Sequence, residues 1–345
     1  MEAGQKMPKE AILYEKLDGK RARCHVCPWL CNIAPGRRGY CCVRENRDGK
    51  IYALSYAKVS SMAADPIEKK PLFHFYPGSL VFSLGSLGCN LRCLHCQNWE
   101  IAHSRMVGEE PGVVDLQPEE AVGATKRHGC QGLAWTYNEP TIWVEYTLDS
   151  AKLCKKENLY TVYVTNGYTT PEALDAMGPH LDAYRVDLKG FTEGFYRKLT
   201  KALHLKPVLD AAIRAKTKWN MHVEIVTNVI PTMNDDEGQL RGIAGWIRDN
   251  LGDKTPWHVT RFIPYLELSH LYPTPVRTLE RAREIGLEEG LKFVYIGNVP
   301  GHPGENTYCP KCKELVVERN GYTITRYEVE SGKCKHCGED LNIRG

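Results

Sequence analysis

The chain has 345 residues, 42% of them hydrophobic, which suits a globular protein with one barrel-sized core plus small appendages and excludes a disordered chain. Its 45 Lys and Arg against 42 Asp and Glu leave a formal charge of +3, too small to imply a nucleic-acid or membrane surface as partner. No apolar run approaches a membrane span, and residues 1–16 lack the apolar core of a secretory signal, so a cytoplasmic location is expected.

In a reducing compartment the 14 cysteines read as metal ligands rather than disulfides, because all but Cys130 and Cys154 fall into three tight zones. The first zone, Cys24, Cys27, Cys31 and Cys41, is spaced C-x2-C-x3-C-x9-C, with Cys42 as a spare thiol. Four thiolates close either a zinc site or a second iron–sulfur cluster, and ligand number does not choose between them. From residue 79 the pattern changes to short apolar strands alternating with helical stretches, the sign of parallel βα units. Strands are predicted at 79–85, 132–137, 160–166, 182–188, 222–228, 257–263 and 292–298. Helices are predicted at 118–128, 140–157, 171–178, 192–203, 207–217, 235–250 and 275–290, several opening on Pro or an acidic residue. Such an α/β series closes as a partial or full parallel βα barrel or stays open as a doubly wound sheet. In either case chemistry collects at the strand C-termini.

Directly after the first strand, SLGCNLRCLHCQNW places Cys89, Cys93 and Cys96 at C-x3-C-x2-C with no fourth cysteine nearby. Three ligands leave one metal position open for chemistry. The next strands end on Asn138-Glu139-Pro140, on Asn166-Gly167 and on Asp187 with Lys189. Each has a structural reading as well: a helix start, a turn, and an ion pair on one side of a strand. Tyr137, His258 and His270 read as packed structural groups, and Pro300 to Pro303 as either a flap over the barrel mouth or a linker. The last zone, Cys309, Cys312, Cys334 and Cys337, forms C-x2-C-x21-C-x2-C around a hairpin turning at Asn320-Gly321. It reads as a zinc ribbon or rubredoxin-like iron site, with zinc favoured, and its mixed Glu and Arg disfavour nucleic-acid binding.

The C-x3-C-x2-C loop, in spacing and position, resembles that of the radical SAM superfamily. The resemblance implies a partial or full βα barrel in which Cys89, Cys93 and Cys96 hold a 4Fe-4S cluster whose fourth iron is chelated by S-adenosylmethionine (SAM). It also implies reductive cleavage of SAM to methionine and a 5′-deoxyadenosyl radical that removes hydrogen from a substrate. His95 stands where the superfamily usually has an aromatic residue. TYNEP (136–140) is similar to the Gly-Gly-Glu-Pro motif of the glycyl-radical activases without its glycines, which implies that Asn138 and Glu139 face the SAM ammonium. By the same resemblance Asn166, Asp187 and Lys189 line the SAM site, and Asn228 and Arg261 fall where ribose, adenine or the methionine carboxylate is contacted. Residues 24–54, DPIEKKPLFHFYPGS and GCNLRCLHCQNWEIA together resemble the radical SAM member of the AmmeMemoRadiSam system. This implies Memo-type and AMMECR-type protein partners, an electron donor and a substrate that the residues do not identify. The expected division is an N-terminal cysteine-rich module at 1–78, the barrel at 79–302 and a ribbon module at 303–345. A glycyl-radical activase of the pyruvate formate-lyase type and a non-catalytic iron–sulfur electron carrier are the competing readings.

Overall fold

The computed structural model describes residues 8–106 and 112–345; residues 1–7, part of the segment read for a secretory signal and of the N-terminal module, lie outside the described residues. Its centre is an eight-stranded sheet of β1 (Ser61–Pro66), β2 (Leu80–Gly85), β3 (Gly132–Trp135), β4 (Tyr160–Thr165), β5 (Ala183–Asp187), β6 (His222–Val229), β7 (Trp257–Arg261) and β8 (Val294–Gly297). Sequence order is spatial order, so β1 and β8 are the edges. β1 runs antiparallel to β2 and every other pair is parallel. Every residue of β3 and β4 is buried, as expected for parallel strands covered on both faces, which is why these segments read as largely apolar runs with no alternating polar face.

The crossovers are helices α1 (Pro118–Arg127), α2 (Val144–Lys156), α3 (Pro171–Met177), α4 (Lys206–Thr217), α5 (Glu237–Leu251) and α6 (Val276–Glu288). Local chemistry sets their ends: Gln117 and Glu120 make a capping box on α1, Thr170 caps α3, and Asp236 accepts from the Gln239 N–H on α5. The helix expected at 192–203 differs. A short turn, Glu193–Phe195, runs into a π-helical turn, Tyr196–Thr200, and stops at Lys201 with φ of 62°. The carbonyls of Leu199 and Thr200 instead accept from the N–H groups of Leu94 and Arg92, at 2.9 and 3.0 Å, so this turn clamps the cysteine loop.

One cavity is lined by residues from the C-terminal ends of β3 to β8 and from the cysteine loop after β2. Laid flat, seven parallel strands about 4.8 Å apart would span roughly 29 Å, too wide for one cavity to touch both edges. The sheet therefore curves, and the architecture is a partial barrel. Its opposite end is closed by residues 72–76, whose Phe73 and His74 N–H groups donate to the buried Glu224 carboxylate of β6 at 3.1 and 2.8 Å. That carboxylate also accepts from His222 and from His258, the latter a packed, hydrogen-bonded group as the sequence reading expects.

The N-terminal residues form two three-stranded antiparallel sheets, Tyr14–Lys16 with Ala22–Cys24 and Asn32–Ile33, and Lys9–Glu10 with Arg44–Arg47 and Lys50–Ala53. The second is fastened to α2 by Arg44, whose guanidinium makes a bidentate pair with Glu145 at 2.8 and 2.9 Å, both groups buried. At the other end of the chain the hairpin Leu315–Asn320 and Thr323–Tyr327 packs Val316 and Val317 against Phe73, Phe293 and Tyr295.

Candidate active site

The cavity has a volume of about 380 Å³, within the range of sites that enclose a small molecule. Cys89, Cys93 and Cys96 lie in its wall. Gly88, at φ of 81°, starts their loop, and a hydrogen bond from the Gly88 N–H to the Ile101 carbonyl, 2.9 Å, holds it. Asn138 ties the loop to the end of β3: its amide nitrogen donates to the Gly88 carbonyl at 2.8 Å and its oxygen accepts from the Ser86 N–H at 3.1 Å. The Cys89 sulfur accepts from the Leu91 N–H at 3.4 Å and from the Asn166 amide at 3.7 Å, which also reaches Asn90 Oδ1 at 2.9 Å.

Burial pushes all three thiols up, Cys93 to about 11, and their mutual repulsion adds to this for Cys89. Neutral thiols gain nothing by sharing one cavity wall, whereas a cationic metal centre deprotonates them outright and binds them. A second observation fits a bound group here: His95, between Cys93 and Cys96 in the sequence, is buried, its Nδ1 has no partner among the described residues, and burial lowers its pKa to about 3. Three thiols facing one cavity, Cys93 buried and Cys89 and Cys96 half-buried, with N–H donors on one sulfur and an unpaired polar atom in the same wall, suit an iron–sulfur cluster with one open iron and a polar ligand beside it.

Charge gathers across from the cysteines. Asp187 and Lys189, at the end of β5, both line the cavity and pair at 3.0 Å, with Arg185 also bound to Asp187. Burial would raise Asp187, but the two cations hold it below the usual carboxylate range. Lys69 and Lys70 share Asp65 at 2.8 and 2.7 Å on a second side of the cavity; burial lowers Lys70 to about 8. Tyr137, with φ of 71°, also lines the wall and donates to Asp65 at 3.0 Å. The four cations here outnumber the two carboxylates.

Of the residues singled out in the sequence, Cys89, Cys93, Cys96, Asn138, Asn166, Asp187, Lys189 and Asn228 come together around this cavity. Glu139 and Arg261 are not among its lining residues. The Glu139 carboxylate is fully buried and already accepts from the Thr141 N–H, the Thr165 hydroxyl and the Asn166 N–H, at 2.9, 2.7 and 2.8 Å. It caps the turn Pro140–Trp143 and sets Asn166 in place. The Arg261 guanidinium donates to the Thr274 carbonyl at 3.0 Å, and Asn228 donates to the Thr260 hydroxyl at 3.2 Å. His302 caps Pro303–Glu305 at Gly304 N–H, so residues 300–303 make a linker turn. Sequence reading missed Lys69, Lys70 and Arg185, whose positions depend on strand pairing, and Tyr322, which the C-terminal hairpin brings to the cavity. No local pattern marks any of them.

The flanking cysteines gather in two different ways. Cys309, Cys312, Cys334 and Cys337 have all four sulfurs within 4.8 Å of one another, with Cys309 to Cys337 at 3.5 Å and Cys312 to Cys334 at 3.7 Å. Cys24, Cys27, Cys31 and Cys41 line a small buried pocket, and Cys42 is turned away at φ of 67° toward Arg92, at 3.6 Å.

A parallel βα partial barrel with a three-thiol loop at its mouth defines an iron–sulfur enzyme of the radical SAM type. Residues 84–240 match the radical SAM superfamily model, so the chain carries a radical SAM domain. It is 47% identical over 337 residues, 97% of this chain and 99% of the relative, to an uncharacterized protein of Methanocaldococcus jannaschii. It is 25% identical over 228 residues, 60% of this chain and 89% of the relative, to the pyruvate formate-lyase 1-activating enzyme of Escherichia coli strain K12. A solved domain of a pyruvate-formate lyase-activating enzyme from Bacteroides vulgatus aligns at a TM-score of 0.40 and 17% identity, over 48% of this chain and 99% of that one.

Proposed function

We propose that this radical SAM enzyme cleaves SAM reductively and abstracts hydrogen from a substrate within the AmmeMemoRadiSam system, together with Memo-type and AMMECR-type proteins and a one-electron donor in the cytoplasm. The observation that carries the cofactor chemistry is the set of three, not four, thiols facing a ligand-sized cavity. With cluster and SAM bound, the chemistry available is one-electron cleavage of the sulfonium, giving methionine and a 5′-deoxyadenosyl radical. Cys89, Cys93 and Cys96 would hold three irons, and Asn166 would steady the cluster through its bond to Cys89. Lys69, Lys70, Arg185 and Lys189 suit the SAM carboxylate or an anionic group on the substrate. Glu139 acts through Asn166 rather than by touching SAM. The three-part division at 78/79 and 302/303 goes with this reading: the ribbon module's sulfur spacing suits one tetrahedral ion, and zinc is favoured over iron because small structural four-cysteine sites so often hold it.

A second reading, activation of a glycyl-radical enzyme, is favoured by the 25% identity to the pyruvate formate-lyase 1-activating enzyme; against it stands the share of this chain that the match, at 60%, leaves uncovered. The test is anaerobic reconstitution with iron and sulfide, reduction by dithionite, addition of SAM and chromatography for 5′-deoxyadenosine. Wild type should form it and Cys93→Ala should not. A protein with a demonstrated intact cluster that forms none points to an electron carrier. A glycyl-radical signal by electron paramagnetic resonance (EPR) on adding a glycyl-radical enzyme would establish the second reading.

A further inference from the structure

The N-terminal thiols differ from the C-terminal quartet in the spacing of their sulfurs. One tetrahedral ion with metal–sulfur bonds of about 2.3 Å requires sulfurs under about 4 Å apart. The C-terminal quartet meets this at 3.5 and 3.7 Å. Among the described residues it is the one group of three or more ligand atoms gathered within 4.8 Å. Cys24, Cys27, Cys31 and Cys41 surround a common pocket, roofed by Val26, Ile33 and Ile142, without converging on a point. The same holds for Cys89, Cys93 and Cys96, the loop of the superfamily's cluster. Thiols that ring a space rather than meet at a centre fit a polynuclear core in which each sulfur binds its own iron.

The pocket also abuts the catalytic loop. Cys27 is followed at two residues by Trp29, whose indole N–H donates to the Asn90 carbonyl at 2.8 Å. Cys41 is preceded by Tyr40, whose N–H donates to Cys31 Sγ at 3.4 Å and whose carbonyl accepts from Arg92 at 2.9 Å. The Trp29 and Tyr40 rings stack at 4.0 Å, and the Arg92 guanidinium lies 5.0 Å from the Tyr40 ring while donating to the Cys89 carbonyl at 2.7 Å. Gly88 comes so near that a Cβ there would meet the Cys41 carbonyl at 2.5 Å. Packed atoms thus run without a break from one thiol nest to the other.

We propose that Cys24, Cys27, Cys31 and Cys41 hold a second, fully ligated iron–sulfur cluster that passes electrons across the Trp29–Tyr40 stack to the catalytic cluster. Its relay role rests on the radical SAM reading above; its metal content does not. With four protein thiolates it has no open iron, so it does one-electron transfer and binds no substrate. A low-potential one-electron donor protein is oxidised by one electron, the catalytic cluster is reduced by one, and no bond forms or breaks in the relay.

The test uses the full chain reconstituted anaerobically with iron and sulfide, as wild type, as the triple variant Cys89→Ala, Cys93→Ala, Cys96→Ala, and as Cys27→Ser, Cys31→Ser. Iron, acid-labile sulfide and zinc are counted per chain, and EPR spectra are taken after reduction. The triple variant should keep about four irons and four sulfides, half the wild-type content. The reduced wild type should show a broadened, fast-relaxing spectrum that is not the sum of the two variants' spectra, as two neighbouring paramagnets produce. A triple variant with zinc in place of iron and sulfide, or with no second metal, overturns the site. A wild-type spectrum equal to that sum overturns the relay. Iron absent from the wild type as well would sink the radical SAM reading, whereas iron lost only in the triple variant sinks this inference alone. If the serine variant does not fold, the triple variant's metal count decides the site, and broadening of the wild-type spectrum relative to the triple variant's decides the relay.

Discussion

Replacing Glu145 by Ala should unfasten the N-terminal module from the barrel. Arg44 and Glu145 are 1% and 2% exposed, and the carboxylate also accepts from the Ile12 N–H at 3.1 Å. Removing it leaves a guanidinium buried with no counter-charge, whose Nε already lacks a partner. Breaking such a pair from one side costs about 3–5 kcal/mol. The loss falls on the contact between the second N-terminal sheet and α2, so it should appear as local opening rather than global unfolding. At about 1.4 kcal/mol per decade, amides of Arg44–Arg47 and Lys50–Ala53 that exchange through this opening should exchange roughly two to four orders of magnitude faster. Hydrogen exchange read by mass spectrometry measures this directly, with peptides from β4 and β5 as internal controls. The apolar pair Arg44→Met with Glu145→Leu should restore protection to near wild type, because no charge is then stranded. An acceleration under about tenfold in Glu145→Ala, or a double variant no better protected than the single one, would refute the reasoning.

Gly88→Ala places a Cβ against the Cys41 carbonyl and Val43 at a backbone φ of 81°; strain and overlap of at least about 2 kcal/mol should displace the cysteine loop and lower the iron retained after reconstitution. Asn166→Ala removes the amide bonds to Cys89 Sγ and Asn90; a chelator competition should show iron held about 10–100-fold more weakly, as for other residues that support a metal ligand. His74 is buried between the Leu341 carbonyl and the Tyr295 hydroxyl, and burial lowers it to about 3. Its folded value lies below the unfolded value of about 6.5, so its contribution is complete above pH 6.5 and falls as acid protonates the unfolded chain first. By pH 5 about 2 kcal/mol should be lost, and urea titrations of wild type and His74→Asn should diverge in pH slope by that amount; parallel slopes would show that His74 does not titrate on unfolding.

The sequence alone determined whatever depends on near neighbours along the chain. The three thiols at 89, 93 and 96 share one short loop, the two C-terminal knuckles carry their spacing with them, and the β4 segment, buried at every residue, reads as an apolar run in any register. Even the helix starts at Gln117, Thr170 and Asp236 are local hydrogen-bond events. The tertiary structure decided matters that join distant residues. Asn-Glu-Pro at 138–140 looks the same whether Glu139 faces a ligand or a backbone. Only the pairing of β3 with β4 shows its oxygens taken by Thr165 and Asn166. Lys70 and Tyr322 reach the cavity because sheet curvature and hairpin packing carry them there, and neither leaves a trace in spacing. The separation of sulfurs is likewise a distance in space: C-x2-C occurs at both ends of the chain, and only folding spreads one set around a pocket and gathers the other to a point.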